Sequence, residues 1–148
     1  MKEGEHGLYA VFGMSVDTER GSLFACSSAV PEMNGYSDAD KGKAALFEFN
    51  LTNGSVRRKV TLEDPGVEHN LNDLTIDTAS GDVYISDASA GGIYVLKAGG
   101  QNLQPLLAPG RLVSPQGIAL SPDKKCLYVS DYPVGLYRVD LATKTLPT

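Results

Sequence analysis

The chain has 148 residues, of which 42% are hydrophobic and 21% charged, and its net charge is -5. This composition is typical of one globular domain with a core, and the acidic balance argues against binding to the phosphate backbone of nucleic acids. No apolar run is long enough to span a bilayer and the N-terminus lacks the hydrophobic region of a signal peptide, so we expect a soluble protein of unknown compartment.

Three units with one plan follow each other along the chain. The first reads FGMSVDTERGSLFACSSA (12–29), the second NDLTIDTASGDVYISDASAGGIYVLK (72–97) and the third QGIALSPDKKCLYVSDYPVGLYRVD (116–140). Equivalent positions lie 60 residues apart between the first two units and 44 residues apart between the last two, as Phe24, Tyr84 and Tyr128 illustrate. A repeat of this period is typical of a fold built from stacked identical modules.

Each unit predicts short antiparallel strands, because apolar and polar residues alternate in runs separated by turn residues. Three runs recur in every unit, and a fourth, outer run follows at residues 56–62 and 103–107 in the first two. Four strands per unit indicate β-propeller blades. We therefore predict an all-β chain that forms a single propeller segment over residues 1–148, with blades at roughly 8–62, 63–107 and 108–148.

The third predicted blade lacks its outer strand, and three blades amount to half of a six-bladed ring. Three blades in a row cannot close a ring, so their two end faces would expose apolar sheet surface. We expect either self-association, as a homodimer, or further blades to close the ring.

Equivalent residues just before the three predicted innermost strands are Phe12, Asn72 and Gln116. In a propeller the residue just before an innermost strand points at the mouth of the central channel. The side chains of Asn72 and Gln116 carry neutral carbonyl oxygens, which are hard ligands suited to calcium. The alternative is that each side chain caps the adjacent backbone at a turn.

The segments NDLTIDTASGDVYISD and SPQGIALSPDKKCLYVSDYPVGLYRVDL resemble the gluconolactonase, regucalcin and senescence-marker family of six-bladed propellers. They are also similar to NHL-repeat and strictosidine-synthase-like propellers. The resemblance extends over residues 8–141 and implies blade architecture more specifically than activity. It implies that the channel holds calcium or another divalent cation, and that this metal site hydrolyses lactones or esters.

Carried onto this sequence, the resemblance places Asn72 at one of the family's asparagine positions and Gln116 where the second asparagine stands. Phe12 occupies the position of an expected carboxylate ligand, which phenylalanine cannot replace. Asp73 follows Asn72 as in related calcium propellers, where it lines the pocket or braces the turn. A calcium site without carboxylates would bind weakly.

His69, three residues before Asn72, is the candidate acid–base group, and the alternative is a loop histidine in ordinary hydrogen bonds. Two cysteines, Cys26 and Cys126, are expected to be reduced and separate. The first hypothesis is a gluconolactonase-like hydrolase that depends on a divalent cation, or a fragment of one. The alternative is a non-catalytic propeller module that binds a small polar ligand or a protein partner, at the channel mouth or through the loop at residues 29–44.

Overall fold

The computed structural model describes residues 5–62 and 64–146, which form eleven β-strands and two 3₁₀ turns. The strands are β1 (Ala10–Asp17), β2 (Ser22–Ser28), β3 (Ala44–Asn50), β4 (Val56–Leu62), β5 (Leu71–Asp77), β6 (Asp82–Asp87), β7 (Gly92–Leu96), β8 (Leu103–Leu107), β9 (Pro115–Leu120), β10 (Cys126–Asp131) and β11 (Gly135–Asp140). The 3₁₀ turns span Glu5–Gly7 and Asp38–Asp40. Within the described ranges no helix could traverse a bilayer.

The strands form three antiparallel sheets in chain order. The first contains β1 to β4, the second β5 to β8 and the third β9 to β11, and each strand pairs with its neighbour in sequence. The innermost strands lie side by side, with β5 between β1 and β9. This is a β-propeller segment of three blades, as the repeat predicts, and the third sheet has three strands among the described residues.

The second blade is sandwiched between the other two, and its burial reflects that position. Every residue of β6 and β7 is buried, whereas the equivalent strand β10 contains both buried and exposed residues and β11 is mostly exposed. A strand buried on both faces reads as a continuous apolar run, and a strand with one free face alternates. The runs VYIS and IYVL in the second blade follow the first pattern.

Two hydrophobic clusters fill the spaces between the blades. Phe24 and Leu46 of the first blade pack with Leu74 and Ile85 of the second. A third, smaller cluster lies on the opposite face of the first blade and contains Phe47. Members of the cluster between the second and third blades include Tyr84, Ile93, Val95, Ile118, Leu127 and Val129.

All three innermost strands contain a β-bulge at the same repeat position. In the second blade, Leu71 pairs with Asp87 and Leu74 with Ile85, so two residues of β5 oppose one residue of β6. The same irregularity lies between residues 11 and 14 of β1 and between residues 115 and 118 of β9. The bulged pairs are therefore 12–13, 72–73 and 116–117, inside the strands. The sequence predicts the first residue of each pair just before its strand, whereas the structure places it inside the strand.

Candidate functional site

The bulges place Phe12, Asn72 and Gln116 at equivalent positions on adjacent strands. The side chain of Asn72 is half-buried and its amide has no hydrogen-bond partner among the described residues. The amide of Gln116 donates from Nε2 to Ser114 Oγ at 3.0 Å, which leaves its carbonyl oxygen for other contacts. Phe12 packs against the cluster between the first two blades and lines a small cavity.

Asp73 connects the bulges of neighbouring blades. Its Oδ2 accepts the backbone N–H of Ile118, in the third blade, at 3.2 Å. A side chain at Gly13 would clash with the Asp73 carboxylate and backbone, and a Cβ at Gly117 would lie 3.9 Å from Oδ2. The carboxylate thus fits between two glycines of the flanking strands. Asp73 therefore links the bulge of the second blade to the backbone of the third.

Ser86, the single residue opposite the bulge of the second blade, extends this connection. Its hydroxyl accepts the N–H of Asp73 at 3.1 Å and donates to the backbone carbonyl of Gln116 in a short hydrogen bond. Ser130, at the equivalent position of the third blade, accepts the N–H of Gly117 at 2.9 Å. The hydroxyl opposite each of these bulges therefore fixes the backbone that presents the channel-end side chain.

Cys26 replaces this serine in the first blade. Burial raises the pKa of the Cys26 thiol, and the negative charges of Asp73 and Asp87 raise it further. The thiol stays protonated near neutral pH and is a poor nucleophile and metal ligand. Cys26 and Cys126 are both buried and unpaired, as expected.

His69 lies in the core, bound to a carboxylate. Its Nδ1 is 2.6 Å from Asp87 Oδ2, both side chains are fully buried, and the ring meets Tyr94 edge-on with centroids 6.1 Å apart. Its Nε2 has no hydrogen-bond partner within residues 5–62 and 64–146. His69 lines neither of the two cavities described below, so its role as an acid–base group requires the buried pair to open.

The partner of His69 belongs to a feature that recurs in every blade. Asp87 and Asp131 end the second strand of their blades, and Ser27 is the last residue but one of β2. Each accepts a backbone N–H from the segment that enters the innermost strand, at 2.7–2.9 Å. His69 stands where the third blade has Val113, whose backbone N–H binds Asp131. The His69 ring therefore replaces a backbone donor at a blade corner.

The channel-end residues of this segment do not by themselves fit a calcium site. Within residues 5–62 and 64–146 there is no group of three or more His, Cys, Asp or Glu side chains that could hold a metal ion. Asp73, the carboxylate at the bulges, is engaged with Ile118. Asn72 and Gln116 offer neutral oxygens only, and Phe12 offers none.

Two cavities flank the first blade, and no sequence motif indicated them. The smaller, of about 430 Å³, is lined by Phe12, Glu32 and Asn70 among others. The Asn70 amide oxygen is buried and has no hydrogen-bond partner in the part of the chain that the structure describes. The larger, of about 910 Å³, opens on the face of the first blade that points away from the second. Both involve the loop after β2, which depends on tertiary packing for its position.

Comparisons with known proteins define the class. No protein-family profile matches the chain, and no curated protein matches it in sequence. Solved structures do resemble it: a chain of a nidogen/laminin complex (15% identity, TM-score 0.67), the Dos1 propeller (12%, 0.62) and XC5397 from Xanthomonas campestris, a gluconolactonase (14%, 0.56). They match 95%, 93% and 95% of this chain but 48%, 32% and 39% of their own lengths, respectively.

At these identities the similarity shows the fold alone. The chain is a β-propeller segment that spans less than half the length of these neighbours. A gluconolactonase is among the neighbours, alongside propellers with other descriptions.

Proposed function

We propose that this chain is a section of a gluconolactonase-like propeller that binds a small polar ligand at the channel end through the side chain of Asn72. The observation that carries this proposal is the unpartnered, half-buried amide of Asn72 at a β-bulge. The surrounding polar groups of Asp73, Ser86 and Gln116 are engaged in hydrogen bonds. An amide offers both donors and an acceptor, which suits the hydroxyl and carbonyl groups of sugar-like molecules.

The neighbouring groups support such a contact. The bulge fixes the backbone on both sides of Asn72, so little conformational entropy is lost when the side chain binds. The side-chain oxygen Oε1 of Gln116 adds an acceptor on the next strand, and the ring of Phe12 adds an apolar surface on the previous one. This combination of few polar groups with an apolar wall is typical of small-molecule sites.

The second candidate is a lactone or ester hydrolase that depends on a divalent cation, and the similarity to a gluconolactonase favours it. The cation would polarise the carbonyl of the bound substrate. The carboxylate ligands would have to come from blades outside this segment, because its own channel-end residues supply neutral oxygens. In that case Asn72 would serve the same ligand-binding role.

The test is a titration of the ¹⁵N-labelled chain with D-glucono-1,5-lactone and with gluconate, with and without calcium. We expect saturable shifts in the amides of residues 72–74 and 116–118, and about tenfold weaker binding in Asn72→Ala, the loss of roughly one hydrogen bond. Asn102→Ala, an exposed asparagine between β7 and β8, is the matched control.

Two results would count against the proposal: no saturable shift with either probe, or equal affinity in Asn72→Ala and the parent chain. Calcium-dependent hydrolysis of the lactone, lost in Asn72→Ala and retained in Asn102→Ala, would favour the hydrolase over simple binding.

A further inference from the structure

The two outer faces of this segment expose positions that are buried between blades in its interior. On the first blade, Met14 is 59% exposed, whereas Ile118, its equivalent in the third blade, is 7% exposed against the second blade. On the third blade, Leu136 is 75% exposed, whereas its equivalent Ile93 is 0% exposed. We propose that two copies of this chain form one closed ring, in which the third blade of each copy packs on the first blade of the other.

The interior junction between the second and third blades provides the template. There, Tyr84 and Ile93 of the second blade pack with Ile118, Leu127 and Val129 of the third. The repeat carries both halves of this junction to the two ends of the chain. The residues of the third blade equivalent to Tyr84 and Ile93 are Tyr128 and Leu136. The residues of the first blade equivalent to Ile118, Leu127 and Val129 are Met14, Leu23 and Ala25.

The shape of the first blade's outer face fits the third blade of a second copy. Its cavity of about 910 Å³ is lined by Met14, Leu23, Ala25 and Phe49. That volume admits large side chains of a facing blade, here those of Tyr128 and Leu136. An exposed apolar surface of this kind marks an interaction site.

Polar groups at the two faces are complementary as well. Arg138 of the third blade occupies the position of Val95 and is exposed, and Glu32 lies at the rim of the first blade's cavity. Lys59 also lines that cavity, where its ammonium lies over the rings of Tyr9 and Phe47 at 5.5 and 5.3 Å from their centroids. An arginine facing a carboxylate would fix the register of the junction.

Ser130 provides an independent polar contact. Its equivalent Ser86 donates across the blade junction to the backbone carbonyl of Gln116. The first-blade residue equivalent to Gln116 is Phe12, so the exposed hydroxyl of Ser130 would donate to the Phe12 carbonyl of the second copy. In the single chain that hydroxyl accepts the N–H of Gly117, and the acceptor for its own hydrogen among the described residues is the carbonyl of Gly117, at 3.4 Å.

Closure by a second copy also completes the channel. One chain supplies three innermost strands, β1, β5 and β9, and a two-fold ring supplies six, within the usual range for propellers. The channel would then hold Asn72 and Gln116 twice, on opposite sides of the axis. Ring closure does not depend on which ligand, if any, binds there.

The experiment is native mass spectrometry and sedimentation velocity of the purified chain. We expect a species of twice the 15.7 kDa chain mass. Met14→Glu and Leu136→Glu each place an unpaired charge in both junctions of the ring, so each should weaken dimerisation at least about 100-fold. Leu51→Glu, at a 45% exposed residue in a turn away from both faces, should leave it unchanged. Circular dichroism checks that all three variants fold.

Mixing the Met14→Glu and Leu136→Glu chains separates this ring from other dimers. A mixed pair has one junction with both substitutions and one junction of native sequence, so mixing should restore a dimer that neither variant forms alone. A monomeric parent chain at high concentration would overturn the proposal and point to further blades as the occupant. A dimer insensitive to Met14→Glu, or an open series of larger assemblies, would overturn it too.

Discussion

Asp73 shows how one side chain can hold neighbouring blades together. It reaches from the bulge of β5 to the backbone of Ile118 in β9, and the absence of a side chain at Gly13 leaves room for it. Removing it would leave a backbone donor without its acceptor between two sheets. An unsatisfied group of this kind costs about 1–3 kcal/mol.

We therefore expect Asp73→Ala to lower the free energy of unfolding by about 1–3 kcal/mol, measured by urea denaturation. Asp73→Asn keeps an oxygen that can accept the N–H of Ile118 and should cost less. The exposed Asp38, in the loop after β2, gives the control Asp38→Ala, which should unfold like the parent. Equal stability of Asp73→Ala and the parent chain would show that Asp73 is not a brace.

Tyr94 introduces a dependence of stability on alkaline pH. Burial raises the pKa of the Tyr94 phenol to about 12, and the nearby carboxylates of Asp87 and Asp64 add to the effect. Below the ordinary pKa of about 10 the phenol is protonated in both states, and its stabilising contribution is complete. Above that pH the unfolded chain releases the proton first, so stability falls as pH rises towards the folded-state pKa.

Between about pH 9 and about pH 11 this effect alone should lower the free energy of unfolding by roughly 1.4 kcal/mol. Tyr94→Phe should remove that part of the decline, as urea titrations at the two pH values would measure. Tyr132→Phe is the control, because the Tyr132 side chain is 84% exposed. The same decline in Tyr94→Phe and in the parent would contradict the assignment.

At the scale of the elements, the corner residues connect the second strand of each blade to the start of its first. Asp131 accepts hydrogen bonds from the backbone N–H groups of Val113 and Ser114. Asp87 accepts one from the backbone N–H of Asn70 and is also hydrogen-bonded to Nδ1 of His69. Both carboxylates are buried, and the hydrogen bonds that they accept from the entering segments are partly buried.

Asp131→Ala should therefore destabilise the chain by about 2–4 kcal/mol, since two backbone donors lose the buried carboxylate that accepts their hydrogen bonds. Thermal or urea unfolding of Asp131→Ala and Asp131→Asn measures this, and the asparagine variant should retain part of the stability. Asp123→Ala is the comparison in the same blade, at an exposed corner. A loss in Asp123→Ala as large as that in Asp131→Ala would refute a special role for the buried corner.

Strands and their grouping into blades could be predicted from the repeat, because alternation and turn residues are local signals. The bulges could not, since the register of β5 is set by which residues of β6 lie opposite. For the same reason the sequence aligned Phe12, Asn72 and Gln116 correctly but left open which of them bonds to its own backbone. Gln116 is held by Ser114, Asn72 is unbonded, and Phe12 packs into the core between blades.

The hydrogen bonds of the Asp73 and His69 side chains could not be predicted from the sequence either. Each is bound to a residue that is near in space and distant in sequence, Ile118 and Asp87 respectively. The equivalence of Asp87 and Asp131 is visible in the sequence, but an acidic residue at the end of matching strands fits backbone capping and a ligand role equally well.

At the scale of the whole molecule, the three blades differ in how many of their faces are covered. The second blade packs against a neighbour on both sides, and the third packs against one. The strand β7 is fully buried, while its equivalent β11 lies at the edge of its sheet with residues such as Leu136 exposed. Local opening costs less where fewer apolar contacts are lost, so stability should decrease from the second blade to the edge of the third.

Native-state hydrogen exchange can measure this gradient. In dilute solution, where single chains prevail, amides of β6 and β7 should exchange slowest, and those of β11 at least about 100-fold faster. As concentration rises, two-fold ring closure would cover β10 and β11 and slow their exchange, while β6 and β7 would change little. Leu136→Glu should abolish the concentration dependence and leave the gradient intact. Uniform protection across the blades in dilute solution would instead mean that the three sheets open together as one cooperative unit. The uncovered face of the third blade would then not lower its stability against local opening.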